Sequence, residues 1–358
     1  MIIVRSPVRI SFGGGGTDLP AYYERHGGAV LSAAINKYFY TILKRRSDGR
    51  IQVISSDLRI FETWRDIASM DVRGSGLEIP LAVLKDLKRD ISVDLFLASE
   101  IPPGTGLGSS ASVCINILKT VTSYLQIPLS KYDLAERAFN IARNVLGRHV
   151  GKQDEYAAAF GGLNYITFHR DGSTEVQPLA LSSSIIETLQ GNLMLFFTGS
   201  AHHSWTILEE QEQSTRSSRG GTVRALHEVQ QLGAAMRDML EHSELHRFGE
   251  LLDQAWQAKK RVSQKISTSF IDRLYALARE HGALGGKITG AGGGGFLLLY
   301  CEPQHQSEVR RVLSAEGIRE MAFALDFQGA QIIANDPFID NDEASASRWT
   351  FVPVTSAT

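Results

Sequence analysis

The sequence predicts an α/β (α+β) fold arranged as two domains, and three observations predict it. The chain has 358 residues, of which 43% are hydrophobic and 21% charged, enough for two cores of ordinary size. Stretches with the two-residue period of strands alternate with stretches of helical period along its length. The pattern restarts near residue 190, where "NLMLFFT" (192–198) opens a second series of elements.

Taken in order, residues 2–12 alternate as a strand and run into a glycine cluster. "DLPAYYERHG" (18–27) has helical spacing, with Asp18 near its start and Gly27 at its end. "AVLSAAINKYFYTILKRR" (29–46) reads as a long strand whose "YFY" (38–40) belongs to the core. "SDGR" (47–50) is turn chemistry, so "IQVISS" (51–56) is expected to pair back on that strand as a hairpin. A helix over 79–89, a strand over 92–99, helices over 109–125, 131–147 and 152–160, and a hairpin over 161–179 turning at Asp171 and Gly172 complete the first unit. In the second unit, "EEQEQSTRSSRGGT" (209–222) loses its apolar period near Ser214, which predicts a mobile loop. Helices over 223–241, 246–262 and 268–281 follow. A strand–loop–strand unit over 285–301, a helix over 304–315 and strands near 321–327 and 330–334 close it. The expected domains are 1–185 and 186–335, with 336–358 an irregular extension that is polar apart from Trp349 and Phe351.

Composition narrows the function. The formal net charge of −2 argues against a nucleic-acid partner. Cys114 and Cys301 sit in apolar surroundings and read as reduced core residues rather than a disulfide framework or zinc site. No apolar run is long enough to span a bilayer, and "MIIVRSPVRISF" carries no leader pattern. The expected setting is the cytoplasm, with no membrane partner.

The glycines are concentrated in "FGGGGTD" (12–18), "PPGTGLGSS" (102–110) and "GGKITGAGGGGF" (285–296). Glycine costs backbone entropy on folding, so three such clusters predict backbone that approaches something closely. The second cluster feeds a helix start. The first amides of a helix lack internal partners and carry the positive end of its dipole, which makes this an anion site. Gly104, Gly106 and Gly108 let amides converge on phosphate oxygens, Ser109 and Ser110 add hydroxyls, and Ala111 leaves room. It is not a dinucleotide fingerprint, because Ser109 stands where the last glycine belongs. Nor does Lys287 belong to a Walker loop: His281 stands at the leading glycine and Ile288 follows the lysine. The residues by themselves point to a nucleotide or sugar-phosphate site.

"PPGTGLGSSASV" resembles the phosphate-binding motif of the galactokinase, homoserine kinase, mevalonate kinase and phosphomevalonate kinase (GHMP) superfamily. "SPVRISFGGGGTDLP" (6–20) resembles its first motif and "KITGAGGGGF" (287–296) its third, in the same order. "GKQDEYAAAFGGLN" (151–164) is most similar to the bacterial heptose kinases within it. The resemblance implies a ribosomal-protein-like α/β N-terminal domain and a ferredoxin-like C-terminal domain. It implies ATP-dependent phosphorylation of the anomeric hydroxyl of D-glycero-D-manno-heptose 7-phosphate, for nucleotide-heptose and surface polysaccharide synthesis. ATP and magnesium are the implied cofactors, a sugar phosphate is the implied partner, and a homodimer is left open. The rival readings are a kinase of an unphosphorylated sugar such as fucose or galactose, and a sugar or nucleotide sensor that has lost catalysis.

The resemblance also assigns residues. Asp154 maps to the catalytic acid that takes a proton from the sugar hydroxyl, with Arg9 beside it and the transferred phosphate. Taken alone, Asp154 reads as a first-turn acid of helix 152–160, Asp18 as a helix cap and Arg9 as an edge-strand cation. Gly104, Gly106, Leu107, Gly108, Ser109, Ser110 and Ala111 would hold the nucleotide, and Ser110 would be a magnesium ligand. Gly14, Gly15, Gly16, Thr17, Asp18, Gly151 and Lys152 would hold the sugar. Asp18 would accept its hydroxyls, and the small glycines of 13–16 and 151 would leave it room. Lys152, Arg148, His149 and His202 are candidates to receive a 7-phosphate. One departure stands out: relatives carry a glutamate twelve residues before the catalytic acid, and here that position is Ala142. Glu136, further upstream, is expected to point elsewhere.

Overall fold

The computed structural model describes residues 1–199, 204–217 and 221–336. The elements run β1 (Ile2–Gly13), α1 (Pro20–His26), β2 (Gly28–Arg45), β3 (Ile51–Ser55), β4 (Ile60–Trp64), α2 (Glu78–Leu87), β5 (Val93–Ser99) and α3 (Ser109–Tyr124). Next come α4 (Lys131–Asn140), a π-helical turn (Ile141–Val145), α5 (Gln153–Phe160), β6 (Leu163–Phe168), β7 (Thr174–Pro178), α6 (Ser183–Asn192) and β8 (Leu193–Phe197). The last are α7 (Ser204–Arg216), α8 (Thr222–Glu241), α9 (Leu245–Lys260), α10 (Ser269–Glu280), β9 (Ala283–Ile288), β10 (Phe296–Cys301), α11 (Pro303–Ala315), β11 (Arg319–Glu320) and β12 (Gln331–Asn335).

Two sheets organise the chain. The first has the order β12-β1-β2-β5-β3-β4, with β6 on β2 and β7 on β6. The second has the order β11-β8-β10-β9. One buried cluster joins the first sheet to α2, α3, α4 and α5. A second lies between the two sheets and takes Val8, Ile10 and Phe12 from β1, Met236 and Leu240 from α8, Phe248 and Leu252 from α9, and Leu298 and Tyr300 from β10. A third packs the far face of the second sheet against α10 and α11. β10 shows why one strand can serve two cores. Leu298 and Tyr300 face the middle layer, while Leu297, Leu299 and Cys301 face the outer one.

A slip of register in β1 places a chemically important side chain. Ile2 and Val4 belong to the first cluster, whereas Val8, Ile10 and Phe12, with the same parity, belong to the second. The β1–β2 ladder shifts between Pro7 and Val8. One step along β1 there faces three along β2, from Tyr38 to Ile35, and across this bulge the side chains change faces. Arg9 is thereby turned toward α3 and α5, and it is 4% exposed rather than an edge cation.

Several expectations are corrected. β3 does not pair back on β2; β5 lies between them, antiparallel to β2 and parallel to β3, and β4 is an additional strand. The turn reversed the chain, but the apolar β5 (Val93, Leu95 and Leu97 all buried) took the central place. Residues 204–216 form a helix where a mobile loop was expected from 209. After Ile207, which joins the third core, its inward face is polar: Gln211, Glu212 and Thr215 are buried, so residues 209–216 carry no apolar stripe. Burial pushes the Glu212 carboxyl up, but Arg143, His149 and Arg216 outweigh it and hold the group at about 2. The long helix over 131–147 changes to π-helical at Ile141. Residues 330–334 do not close the second unit, because β12 pairs with β1. In "YFY" only Phe39 is buried; Tyr38 and Tyr40 are half-buried, and the Tyr38 hydroxyl donates to Asp326 at 2.8 Å. Cys114 and Cys301 are free and buried, as expected. His202 and the extension from 337 lie outside the described residues.

Candidate active site

Arg9 ties three elements together. Its Nε donates to Asp154 Oδ1 and its Nη2 to Asp154 Oδ2, each at 2.7 Å, and its Nη1 donates to the Gly106 carbonyl at 2.7 Å. A planar guanidinium matches a carboxylate in this two-point manner, which fixes direction as well as charge. Asp154 lies in the first turn of α5, where the helix dipole also favours its charge. Its side chain is 27% exposed against 4% for Arg9, so one side of the carboxylate remains open.

The second glycine cluster lies directly beneath. Gly104, Gly106 and Gly108 have φ of 77°, 79° and 78°, and Gly108 is the N-cap of α3. Ser109, Ser110 and Ala111 begin the helix, so their amides have no intrahelical acceptor. Leu107 is fully buried and anchors the loop, while Ser110 is exposed. A Cβ at Gly108 would come within 3.1 Å of Asp154 Oδ2, so the acid and the helix start are in contact. The third glycine cluster braces this loop from behind. A Cβ at Gly290 would lie 2.6 Å from the Gly106 carbonyl oxygen, and one at Gly106 would lie 2.5 Å from that of Thr289. Thr289 Oγ1 is buried beside Gly106 without a hydrogen-bond partner.

The first cluster behaves differently from expectation. Gly14, Gly15, Gly16 and Thr17 are buried, and side chains at 14 and 16 would strike Ala29 and Gln211 of the protein itself. The small residues serve internal packing rather than open space. Asp18 does not cap α1, whose N-cap is Leu19. Its carboxylate is 3% exposed and accepts from Gly16 N (2.8 Å), Gln153 N (3.2 Å) and Gln153 Nε2 (3.2 Å). A Cβ at Gly151 would fall on Asp18 Oδ2, so the close approach at Gly151 is made by this carboxylate. Asp18 thus ties the loop to the turn that presents Asp154. Burial, and then the Asp154 charge, raise its carboxyl above the usual range.

Of the cations expected at a 7-phosphate, the three among the described residues are engaged elsewhere. Lys152 is buried and donates to Glu136 (2.6 Å) and to the Gly172 carbonyl (2.7 Å). Glu136 indeed points away from Asp154, being shared by Lys152 and Tyr156. Arg148 pairs with Glu78 at 2.8 Å and His149 with Glu212 at 2.7 Å.

The donor set does not make a protein-built magnesium cage. Among the described residues no group of three or more His, Cys, Asp or Glu could hold a metal ion. Both Asp154 oxygens accept from Arg9, and position 142 is alanine within the π-helical turn. Magnesium that keeps water and phosphate ligands needs little from the protein, and Ser110 is the exposed hydroxyl at the helix start.

Comparison with known proteins decides the family. The pattern for the GHMP kinases N terminal domain matches residues 78–162, and that for the GHMP kinases C terminal matches residues 224–319. The chain belongs to the GHMP kinases. It is 29% identical over 333 residues to a D-glycero-alpha-D-manno-heptose 7-phosphate kinase of Campylobacter jejuni, covering 91% of this chain and 96% of that one. It is 24% identical over 356 residues to an L-fucokinase/L-fucose-1-P guanylyltransferase of Bacteroides fragilis, covering 87% of this chain and 36% of that one. A crystal structure described as a D-glycero-D-manno-heptose 1-phosphate kinase from Bacteroides thetaiotaomicron superposes with a TM-score of 0.78 at 27% identity, over 94% of this chain and 100% of that one. The fold is the mixed α/β fold of these kinases, and the protein is a sugar kinase.

In this GHMP kinase four polar residues to which sequence reasoning assigns no role are buried: Gln211, Lys259, Glu155, and Lys287, weighed only as a Walker lysine. Lys259, Lys287 and Glu155 sit among apolar or small residues that suggest ordinary packing, Gln211 sits in a polar run that suggests a loop, and only Lys287 belongs to a glycine motif. Glu155 adjoins Asp154 yet is fully buried, with Oε2 lacking a partner. Burial, and then the Asp154 charge, push its carboxyl well above the ordinary 4.5. A carboxyl whose folded value is raised contributes most below its unfolded value, and that contribution is lost as pH rises toward the folded value. Glu155→Gln is therefore expected to match the wild type near pH 4.5 and to become the more stable protein as pH rises. Melting temperatures of both proteins between pH 5 and 8 test this; parallel curves would remove the assignment of a neutral Glu155.

Proposed function

We propose that this sugar kinase transfers the γ-phosphoryl group of ATP to the anomeric hydroxyl of D-glycero-D-manno-heptose 7-phosphate, breaking the bond to the β-phosphate and giving the 1,7-bisphosphate and ADP. The contact of Asp154 with the α3 start, with Arg9 bridging both, carries the reading. The amides of residues 106–111 hold the triphosphate. The open side of Asp154 takes the sugar proton as the phosphoryl group arrives, and Arg9 fixes that carboxylate and offsets charge between the two. Positioning supplies the rest, since a loose phosphoryl-transfer transition state asks for little covalent chemistry from the protein. Residues 14–18 and 151 shape the acceptor side, with Asp18 acting through Gln153. Magnesium travels with the triphosphate, with Ser110 as the proposed protein ligand, and no step above depends on it.

We assign residues 1–185 to the nucleotide-binding domain and 186–335 to the second, with β12 returning to the first sheet and 336–358 as an extension. The surroundings proposed are the cytoplasm, where ATP is abundant, with no nucleic-acid or membrane partner and a role in surface polysaccharide synthesis. Among the described residues no helix is long and apolar enough to cross a membrane.

A second reading, a kinase of an unphosphorylated sugar, is favoured by one observation: Lys152, Arg148 and His149 are already paired with carboxylates. Turnover on the heptose with and without its 7-phosphate separates the two, with phosphorus NMR of the product locating the new phosphate. The first reading expects at least about a 100-fold preference for the phosphorylated sugar, the scale of a site built around a polar group. Equal turnover, or faster turnover of fucose or galactose, overturns it.

A further inference from the structure

The second domain reaches into the loop 13–16 with side chains that the phosphate chemistry does not use. Lys259 of α9 is 5% exposed, and its Nζ donates to the Gly15 carbonyl at 2.9 Å and to Gln211 Oε1 at 3.4 Å. Gln211 of α7 is 1% exposed, and its Nε2 donates to the Gly16 carbonyl at 3.1 Å. Two successive carbonyls of one loop are thus held from two helices of the other domain. Lys287 of β9 adds a third tie a few residues earlier, donating to the Ser11 carbonyl at 2.8 Å. Gly16 is also the position where φ is 100° and where a Cβ would meet the Gln211 amide at 2.5 Å, so the loop is shaped to receive these partners.

Burying an ammonium costs several kcal/mol unless geometry compensates it. An apolar side chain in α9 would fill the same space with less desolvation. Keeping a lysine there makes sense if the exact path of the loop matters. That path continues to the chemistry. Gly16 N donates to Asp18 Oδ1, Gln153 N donates to Asp18 Oδ2, and Gln153 is followed by Asp154. A shift at Gly15 and Gly16 would be passed through Asp18 to the turn that carries the acid.

We infer that Lys259 and Gln211 are positioning residues, a clamp from the second domain that fixes the acceptor loop relative to Asp154. The inference rests on the proposal that residues 14–18 shape the acceptor side. It adds that this side is complete only with the second domain docked, although neither residue touches the nucleotide loop.

The test compares Lys259→Met, Gln211→Leu and the double variant, with Lys260→Met as a neighbouring control. With D-glycero-D-manno-heptose 7-phosphate as acceptor, each single variant is expected to raise the acceptor KM about 10- to 100-fold while the ATP KM changes less than about twofold. The double variant should add little to the worse single one, because both act on one clamp. Hydrogen exchange of the amides over 14–18 should accelerate in the variants and not in Lys260→Met. Equal rises in both KM values that follow a loss of melting temperature would reduce the clamp to a stability tie and overturn the inference. Unchanged acceptor KM with unchanged exchange would overturn it as well. Should Lys259→Met not fold, Gln211→Leu is read in its place. If the wild type ignores that heptose, the substrate proposal fails separately, and the clamp is judged by exchange and by the acceptor found in a sugar screen.

Discussion

Asp154→Asn is expected to lower kcat by about 10²–10⁴-fold, the range spanned by loss of one positioned proton acceptor. The fold should survive. Asparagine keeps a carbonyl oxygen for one of the two Arg9 bonds, so the stability cost should be less than the roughly 3–5 kcal/mol of fully orphaning a buried charge. Asp154→Ala, which orphans Arg9 completely, should be the less stable of the two. Circular dichroism and melting establish the fold, and an ADP-coupled assay reads the rate. A variant within about tenfold of wild-type kcat would sink the assignment.

Gly106→Ala should have the next largest effect, and on the nucleotide rather than the sugar. The position has φ of 79°, which costs an L residue about 1–2 kcal/mol, and the new Cβ would sit 2.5 Å from the Thr289 carbonyl oxygen. Backbone cannot step aside as a flexible side chain can. The second and third glycine clusters should therefore separate, and the amides aimed at the triphosphate should lose their common focus. The expectation is a rise of at least about tenfold in the Kd of a non-hydrolysable ATP analogue, measured by calorimetry, with a fall in stability of about 2–3 kcal/mol. Gly49→Ala is the matched control. Its φ is 75°, but nothing lies within 4 Å of the added Cβ, so it carries the conformational strain alone. Unaltered analogue affinity in Gly106→Ala would remove the loop from the nucleotide site.

Much of the candidate site was legible because it is written in local backbone demands. Glycines at alternate positions before a helix start announce left-handed conformations, and all three of Gly104, Gly106 and Gly108 adopt them. The contact between Asp154 and this loop was reachable from the family motifs alone. What those motifs misjudged was the work of the first cluster. Asp18 and Gly151 were expected to face the sugar, but they face each other, because two segments 133 residues apart in the chain close on one another there. The positive charges near the loop were misjudged for the same reason. Lys152, Arg148 and His149 stand close to Asp154 in sequence, yet each is drawn off by a carboxylate from another segment. Lys259 and Gln211, remote in sequence, are the side chains that arrive.

By itself, then, the sequence determined most of the element types and the glycine-rich helix start, which follow from spacing over a few residues, and the family, which follows from ordered motifs. Only the tertiary structure decided which strand lies beside which, which face Arg9 takes after the slip at Pro7, and which cations reach the first glycine loop. Those outcomes depend on competition among segments far apart in the chain for one central strand position, one buried face or one carboxylate. Local pattern names the competitors, but packing chooses among them.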